Sequence, residues 1–483
     1  MSRTLQSVLK SAKQTLEQSQ NLPSSARVVF TVGNQAADAD SIVSSLGLAA
    51  VLSGHPGLLP VPLASCSRIN GRTKPELQEL LQQCGVEASD LVYLDDVDWA
   101  TWQASSAGVI LLDHNAPEGP LTPLAANVCC IIDHHVDAGS CAHVTSPVSS
   151  GAWHRRALAA AAAAMAAVID GSCPANARAV TMNDAGDLGV GSACTLVGHA
   201  YLSALQSDPP STPLVPGLAQ LLATVVCLDT NSLKDSSKTT PADVAVLHRL
   251  DALMLSDDAA STAPPPGHGT PPLSDQLLAA ATAARSAKFD PMFWSNLALV
   301  QALEYDLKVR TVMGADGRPR TVAMASVLCP LPQLLRDRGG GDGITAAQQL
   351  DTFATAHSAD VVVLMSLVLA PRKARQLAVY TPPTPHGASA GDAVVRTASA
   401  DTTGMQLERI ALQCAAVGDT AAAASAAGDS NAPSPTAAAL CKSLQAHISD
   451  SARLLMWQQG KLGISRKQLL PLLEAALQEA SEA

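Results

Sequence analysis

Four short stretches place carboxylates and imidazoles where they could hold metal ions. Residues 31–41 read TVGNQAADADS and set Asp38 and Asp40 after the apolar run Val28-Val29-Phe30. Val109-Ile110-Leu111-Leu112 runs into Asp113-His114-Asn115, Cys130-Ile131-Ile132 into Asp133-His134-His135, and Val225-Val226-Cys227-Leu228 into Asp229-Thr230-Asn231. Each apolar run reads as a buried strand, which puts each Asp at a strand's carboxyl end. Open α/β sheets bind ligands there. A single Asp in that place is commonly the cap of the next helix. Several in chain order predict a shared crevice for Asp38, Asp40, Asp113, Asp229 and His134. Crowded carboxylates repel one another and take up protons unless cations bind. Carboxylates with imidazole suit Mn²⁺ or Mg²⁺, and without nearby cysteine they do not suggest a zinc thiolate site.

These residues need a scaffold. Apolar runs at 28–32, 91–94, 109–112, 128–132 and 224–228 alternate with helical patterns at 41–52 and near 194–205. Short continuous apolar runs separated by helices predict an α/β fold, a parallel, Rossmann-like sheet with helices on both faces. Leu5, Val8, Leu9, Ala12 and Leu16 have helical spacing and predict a first helix. The alternative for this segment is a transit peptide, since Arg3, Lys10 and Lys13 precede the first acid, Glu17. Low-complexity stretches at 157–167, 256–272, 339–341 and 381–435 read as insertions or linkers. The expected division is a metal-binding catalytic domain at 1–255, a linker at 256–285 and a smaller α/β domain at 286–483, with an insertion near 381–435.

Composition narrows the partners. The chain has 483 residues, 31 basic and 42 acidic, and a formal charge of −11. That balance argues against a binder of nucleic-acid duplexes, which shows a basic face. An anionic substrate therefore needs local cations: metals, or a few placed Lys and Arg. The 11 cysteines include no CxxC pair. They read as reduced thiols, and the expected location is cytoplasmic, with organellar targeting as the alternative. No run reaches the roughly 18 apolar residues of a membrane span.

The motif order N-x-x-x-D-x-D-S (Asn34 to Ser41), D-H-N (113–115), D-H-H (133–135) and D-T (229–230) resembles the DHH phosphoesterases. Gly-Ser-Ala-Cys-Thr-Leu-Val at 191–197 resembles another segment of that family. In the second half, Glu304-Tyr305-Asp306-Leu307-Lys308 resembles the D-x-K segment of a DHHA2 domain, and Ser465-Arg466-Lys467 with Pro471 its S-R-K-x-x-x-P signature. The pattern is most similar to the exopolyphosphatase and Prune branch, related to the family II inorganic pyrophosphatases. Those pyrophosphatases carry a His where Asn34 stands, and the exopolyphosphatase branch carries Asn.

The resemblance implies a DHH domain followed by a DHHA2 domain, with the active site in the interdomain cleft. It implies two divalent ions, Mn²⁺ or Mg²⁺, held by Asn34, Asp38, Asp40, Asp113, His134 and Asp229, with Asp113 bridging. Asp113, His134 and His135 would be the catalytic group. Asp133 would orient a histidine, and His114 and Asn115 would support the site. His135, Lys308, Arg466 and Lys467 would contact substrate phosphates, and Arg68 or Arg72 would be the branch's further arginine. The basic runs 318–320 and 372–375 are candidates for tracking a longer chain. The implied activity is release of terminal phosphate from inorganic polyphosphate, with pyrophosphate as the alternative substrate. A protein-binding scaffold of Prune type, with weak activity on short polyphosphates or nucleotides, is a further alternative.

Overall fold

The structure is a computed structural model. It describes residues 4–23, 25–71, 74–103, 105, 107–144, 177–182, 189–207, 210, 212–255, 272–336, 346–369, 373–383, 390–391, 393–394, 407–409, 453–459 and 466–479. The chain forms two compact units, Met1–Lys288 and Phe289–Ala483.

The first unit is α/β. Its strands are β1 (Arg27–Val32), β2 (Leu58–Ala64), β3 (Val92–Tyr93), β4 (Gly108–Leu112), β5 (Val128–Val136) and β6 (Ala177–Met182). They form one sheet in the order β3-β2-β1-β4-β5-β6, and every neighbouring pair is parallel. A parallel sheet must be covered on both faces. Alternating residues do this: Val29, Ile110, Leu112, Cys130 and Ile132 join one core, while Val28, Phe30, Val109, Leu111 and Ile131 join the other. β1 hands over to β2 on one side, whereas its neighbour on the other side is β4. The loops after β1 and β4 therefore meet at the switch point, where such sheets bind ligands.

Helix Ala39–Leu52 follows β1 and is buried on all sides. Apart from Asp40 and three serines it is apolar all round, as suits an interior helix, and the serines find partners: Ser45 Oγ donates to Thr31 O at 2.6 Å. The predicted first helix is present as Leu5–Glu17.

One expected strand is a helix. Residues 224–228 lie inside helix Leu218–Asp229, with Leu221, Leu222, Val225 and Val226 buried. Thr224, Val225 and Val226 are β-branched and suggested a strand, but a continuous apolar run carries no period that separates a strand from a buried helix. Asp229 is thus the last residue of a helix. β5 also does not end at Ile132; it continues through Asp133, His134 and His135 to Val136. The expected linker differs too. Residues 256–271 lie outside the described residues, and helix Asp275–Lys288 packs against helices Pro75–Gln83 and Leu218–Asp229 of the first unit, burying Leu277, Ala281 and Ala284 in its core.

The second unit holds β7 (Leu307–Met313), β8 (Pro319–Val327), β9 (Val361–Val368), β10 (Ala374–Thr381), β11 (Leu407–Arg409) and β12 (Arg453–Gln459). Their order is β11-β12-β10-β9-β8-β7. β8 and β9 are parallel and the other pairs antiparallel. Val362 and Leu364 face one core and Val361 and Val363 another, so this smaller sheet is also covered on both faces.

Candidate metal centre

Asp113 stands immediately after β4, at the switch point. Its φ is +61°, in the left-handed region that Asp and Asn tolerate better than most residues. Its N–H donates to Ile132 O at 3.0 Å, which ties the end of β4 to β5. The carboxylate is 2% exposed. Its Oδ2 accepts from Ser41 Oγ and from Asn34 Nδ2, each at 2.7 Å. Its Oδ1 lies 3.1 Å from His134 Nε2 and 3.5 Å from His135 Nδ1. Ligand atoms of Asp113, His134 and His135 all fall within 4.8 Å of one another.

Consecutive residues of a regular strand point to opposite faces. His134 and His135 nevertheless both reach Asp113, because the pairing of β5 with β6 slips between Asp133 and Val136, and such irregularities re-aim side chains. Asp133 fixes the pair. Its Oδ1 accepts from His134 N at 2.8 Å and from His135 N at 3.2 Å, and lies 2.8 Å from His135 Nδ1. Asn115 Nδ2 donates to its Oδ2 at 2.5 Å. Burial alone would raise the Asp133 carboxyl, but His135, His134 and these bonds outweigh it and hold the carboxyl well below its usual range. His114 Nδ1 lies 2.9 Å from Leu112 O.

Asp40 sits in the first turn of helix 39–52 and faces the start of helix Ala193–Gln206. Its Oδ1 accepts from Ser192 Oγ at 2.7 Å and Cys194 N at 2.9 Å, and its Oδ2 from Ala193 N at 2.8 Å. The positive end of a helix suits an anion there. Oδ2 also lies 3.6 Å from His134 Nε2. Burial and the Asp113 charge still push the Asp40 carboxyl up to about 6. Burial, with Asp40 and Asp38, pushes Asp229 up to about 7. Asp229 Oδ2 is buried and has no hydrogen-bond partner among the described residues.

The donor set fits hard divalent cations. Several carboxylates and two imidazoles converge, their crowding raises the cost of ionisation, and one buried carboxylate oxygen is orphaned. A divalent ion answers all three conditions.

Two expected ligands have other bonds. Asn34 turns its Nδ2 toward Asp113 and its Oδ1 accepts from Ala36 N at 2.8 Å, so its amide steadies Asp113 and the loop. Asp38 caps helix 39–52, accepting from Ser41 N at 3.0 Å.

In the second unit, Arg466 donates from NH1 to Asp306 O and from NH2 to Asp306 Oδ1, each at 2.6 Å. Lys308 lies on β7. Ser465 and the Lys467 side chain are outside the described residues. Arg320 is 1% exposed and paired with Asp316, so that member of the 318–320 run is not a surface cation. Lys373 and the half-buried Arg375 are described, and Arg372 is outside the described residues. Arg68 is bound to Asp96 and stacks on Tyr93; Arg72 is outside the described residues.

Sequence reasoning passed over Ser41, Lys74 and Asp243. Ser41 follows the Asp-x-Asp directly and shares the Asp113 oxygen with Asn34. Lys74 is 1% exposed and donates to Ala36 O at 2.8 Å; nothing local marks such a pairing. Asp243 is legible in Thr240-Pro241-Ala242-Asp243, a helix-start signature.

Residues 28–224 match the DHH family, N-terminal domain. A candidate exopolyphosphatase of Schizosaccharomyces pombe is 28% identical over 235 residues, 47% of this chain and 51% of that protein. The human protein Exopolyphosphatase PRUNE1 is 26% identical over 357 residues, 73% of this chain and 62% of that one. The chain thus spans about half of the first relative's length and three fifths of the second's. A candidate family II inorganic pyrophosphatase of Methanococcus jannaschii superposes with a TM-score of 0.46 at 15% identity, covering 93% of this chain and 99% of that one.

Proposed function

We propose that this chain, whose residues 28–224 form a DHH family N-terminal domain, is a metal-dependent phosphoanhydride hydrolase that releases terminal phosphate from inorganic polyphosphate. The observation that carries the reading is the meeting of Asp113, His134 and His135 within 4.8 Å, beside the buried Asp40 and the half-buried Asp229. The relatives named as exopolyphosphatases support the choice of substrate.

Asp113, Asp40, His134 and Asp229 would hold two divalent ions, Mn²⁺ or Mg²⁺, with Asp38 at the edge of the set. Such ions supply an activated water and neutralise phosphate charge. The protein's own groups do the rest. Asn34 and Ser41 fix one oxygen of Asp113 and leave the other toward the histidines. Asp133 holds His135 by Nδ1. His135, at 20% side-chain exposure, is more open than His134 or Asp113. It would contact a phosphoryl oxygen and donate a proton to the bridging oxygen that leaves with the shortened chain. Lys308, Arg466 and Lys467 are the proposed cations for the substrate's charge. Arg466 is already oriented by Asp306, and a planar guanidinium suits phosphate.

Phosphate release from pyrophosphate, tripolyphosphate and long polyphosphate, each with Mg²⁺ and with Mn²⁺, tests the reading. Metal-dependent release from tripolyphosphate and longer chains is expected. Release from pyrophosphate alone would replace it with a pyrophosphatase, and no release from any of them would reject hydrolysis of these anhydrides.

A further inference from the structure

We infer that Asp243, a residue outside the metal-binding motifs, is a positioning residue that aims Asp40 through the turn 191–195. The inference rests on the metal-site reading above.

The turn is held at both ends by one side chain. Asp243 is fully buried. It accepts from Gly191 N, at 3.0 Å to Oδ1 and 2.9 Å to Oδ2, and from Thr195 Oγ1 at 2.6 Å. It also accepts from Thr240 N and Thr240 Oγ1, each at 2.8 Å. Gly191 and Thr195 are thus fastened to Asp243, and Asp243 is fastened to the start of its own helix, Pro241–Leu255.

The residues between those anchors hold Asp40. Ser192 Oγ, Ala193 N and Cys194 N donate to its two oxygens. The donors on Asp40 therefore sit in a segment whose ends are fixed by Asp243. The segment has no slack at Gly191 either. A Cβ there would lie 2.2 Å from Lys238 O, so the backbone at Gly191 is packed closely against the backbone at Lys238.

Geometry alone connects the two carboxylates. Asp243 accepts from the two ends of the turn and Asp40 from its middle, so a shift of the turn rotates or translates the Asp40 oxygens. Groups that orient a metal ligand typically change metal affinity by about 10- to 100-fold when altered. An ordinary helix cap changes stability and leaves metal affinity alone.

The test compares Mn²⁺ binding to the full chain, stripped of metal with chelator, as wild type, Asp243→Asn and Asp251→Asn. Asparagine keeps the size of Asp243 but turns an NH₂ toward donors. Asp251 is the control. It accepts from Ser274 N and Ser274 Oγ, another buried cap of a helix start in the same unit, and among the described residues it has no hydrogen bond to the 191–195 turn. Mn²⁺ binding is read by titration well below the melting temperature, with circular dichroism to confirm folding. The expected result is Mn²⁺ affinity lower by about 10- to 100-fold in Asp243→Asn and within about twofold of wild type in Asp251→Asn. If Asp243→Asn does not fold, Thr195→Val replaces it, with Thr195→Ser as rescue. Thr195→Val should then weaken Mn²⁺ binding and Thr195→Ser restore it. Wild-type affinity in folded Asp243→Asn, or in Thr195→Val when that variant stands in, overturns the inference. A wild-type chain that takes up no Mn²⁺ overturns the metal reading itself, a separate failure seen before any variant is compared.

Discussion

The proposed chemistry centres on Asp113, a residue with an unusual backbone. A positive φ of +61° makes Ala a poor probe, since Ala adopts that region less readily than Asn. Asp113→Asn keeps the backbone tolerance and the size and removes the charge. Phosphate release should fall by more than the about 100-fold typical of residues that only orient a ligand, with the fold retained by circular dichroism. A folded variant with most of its activity would remove Asp113 from the centre. Asp229 permits a second test, by pH. Its folded pKa of about 7, and that of Asp40 near 6, lie above the ordinary 3.8. Between those values the folded, metal-free chain holds more protons than the unfolded chain, so stability falls as pH rises through the window and levels off above it. The chelator-stripped protein should melt at higher temperature near pH 5 than near pH 7, and Asp229→Asn should flatten that slope. An unchanged slope in Asp229→Asn would mean that Asp229 does not titrate in this range.

At the scale of elements, the junction of β1 with helix 39–52 sets the spacing of the site. Gly33 lies between them, and a Cβ there would stand 2.6 Å from Ser41 O and 2.7 Å from Ser41 Cβ. Gly33→Ala must push the helix start from the strand. Overpacking of this kind costs about 1–3 kcal/mol, and it moves Ser41, which holds Asp113. A lowered melting temperature together with weakened Mn²⁺ binding is expected; a loss of stability with unchanged Mn²⁺ affinity would confine Gly33 to packing. Much of this junction was legible in the sequence. A short apolar run before Asp-x-Asp-Ser predicts strand, loop and helix, and β1 and helix 39–52 are there. The 218–229 segment was not legible as a helix, because all its faces are buried and its β-branched centre mimics a strand. Nor was the reach of His134 and His135 to one carboxylate, since that depends on a slip of β5 against β6, a strand 40 or more residues further along the chain. The pairing of Asp243 with residue 191, 52 positions away, is long-range in the same way. The cap at Thr240 announces the helix but not what its Asp will hold.

At the scale of the whole molecule, a formal charge of −11 opposes any polyanion, and the proposed offset is local. The proposed metal ligands lie in Met1–Lys288, and the proposed phosphate contacts Lys308 and Arg466 in Phe289–Ala483. Arg466→Ala should therefore lower kcat/KM for polyphosphate by an amount equivalent to a few kcal/mol in the transition state, while Mn²⁺ affinity stays at the wild-type value. Wild-type kinetics would reduce the Arg466 pair with Asp306 to a structural clamp. No helix among the described residues is long and apolar enough to cross a membrane. The most direct measurement is phosphate release from long-chain polyphosphate by chelator-stripped protein, titrated with Mg²⁺ or Mn²⁺. The account predicts negligible release without metal and recovery that saturates as metal is added. Release that persists in excess chelator, or none at any concentration of either ion, would contradict it.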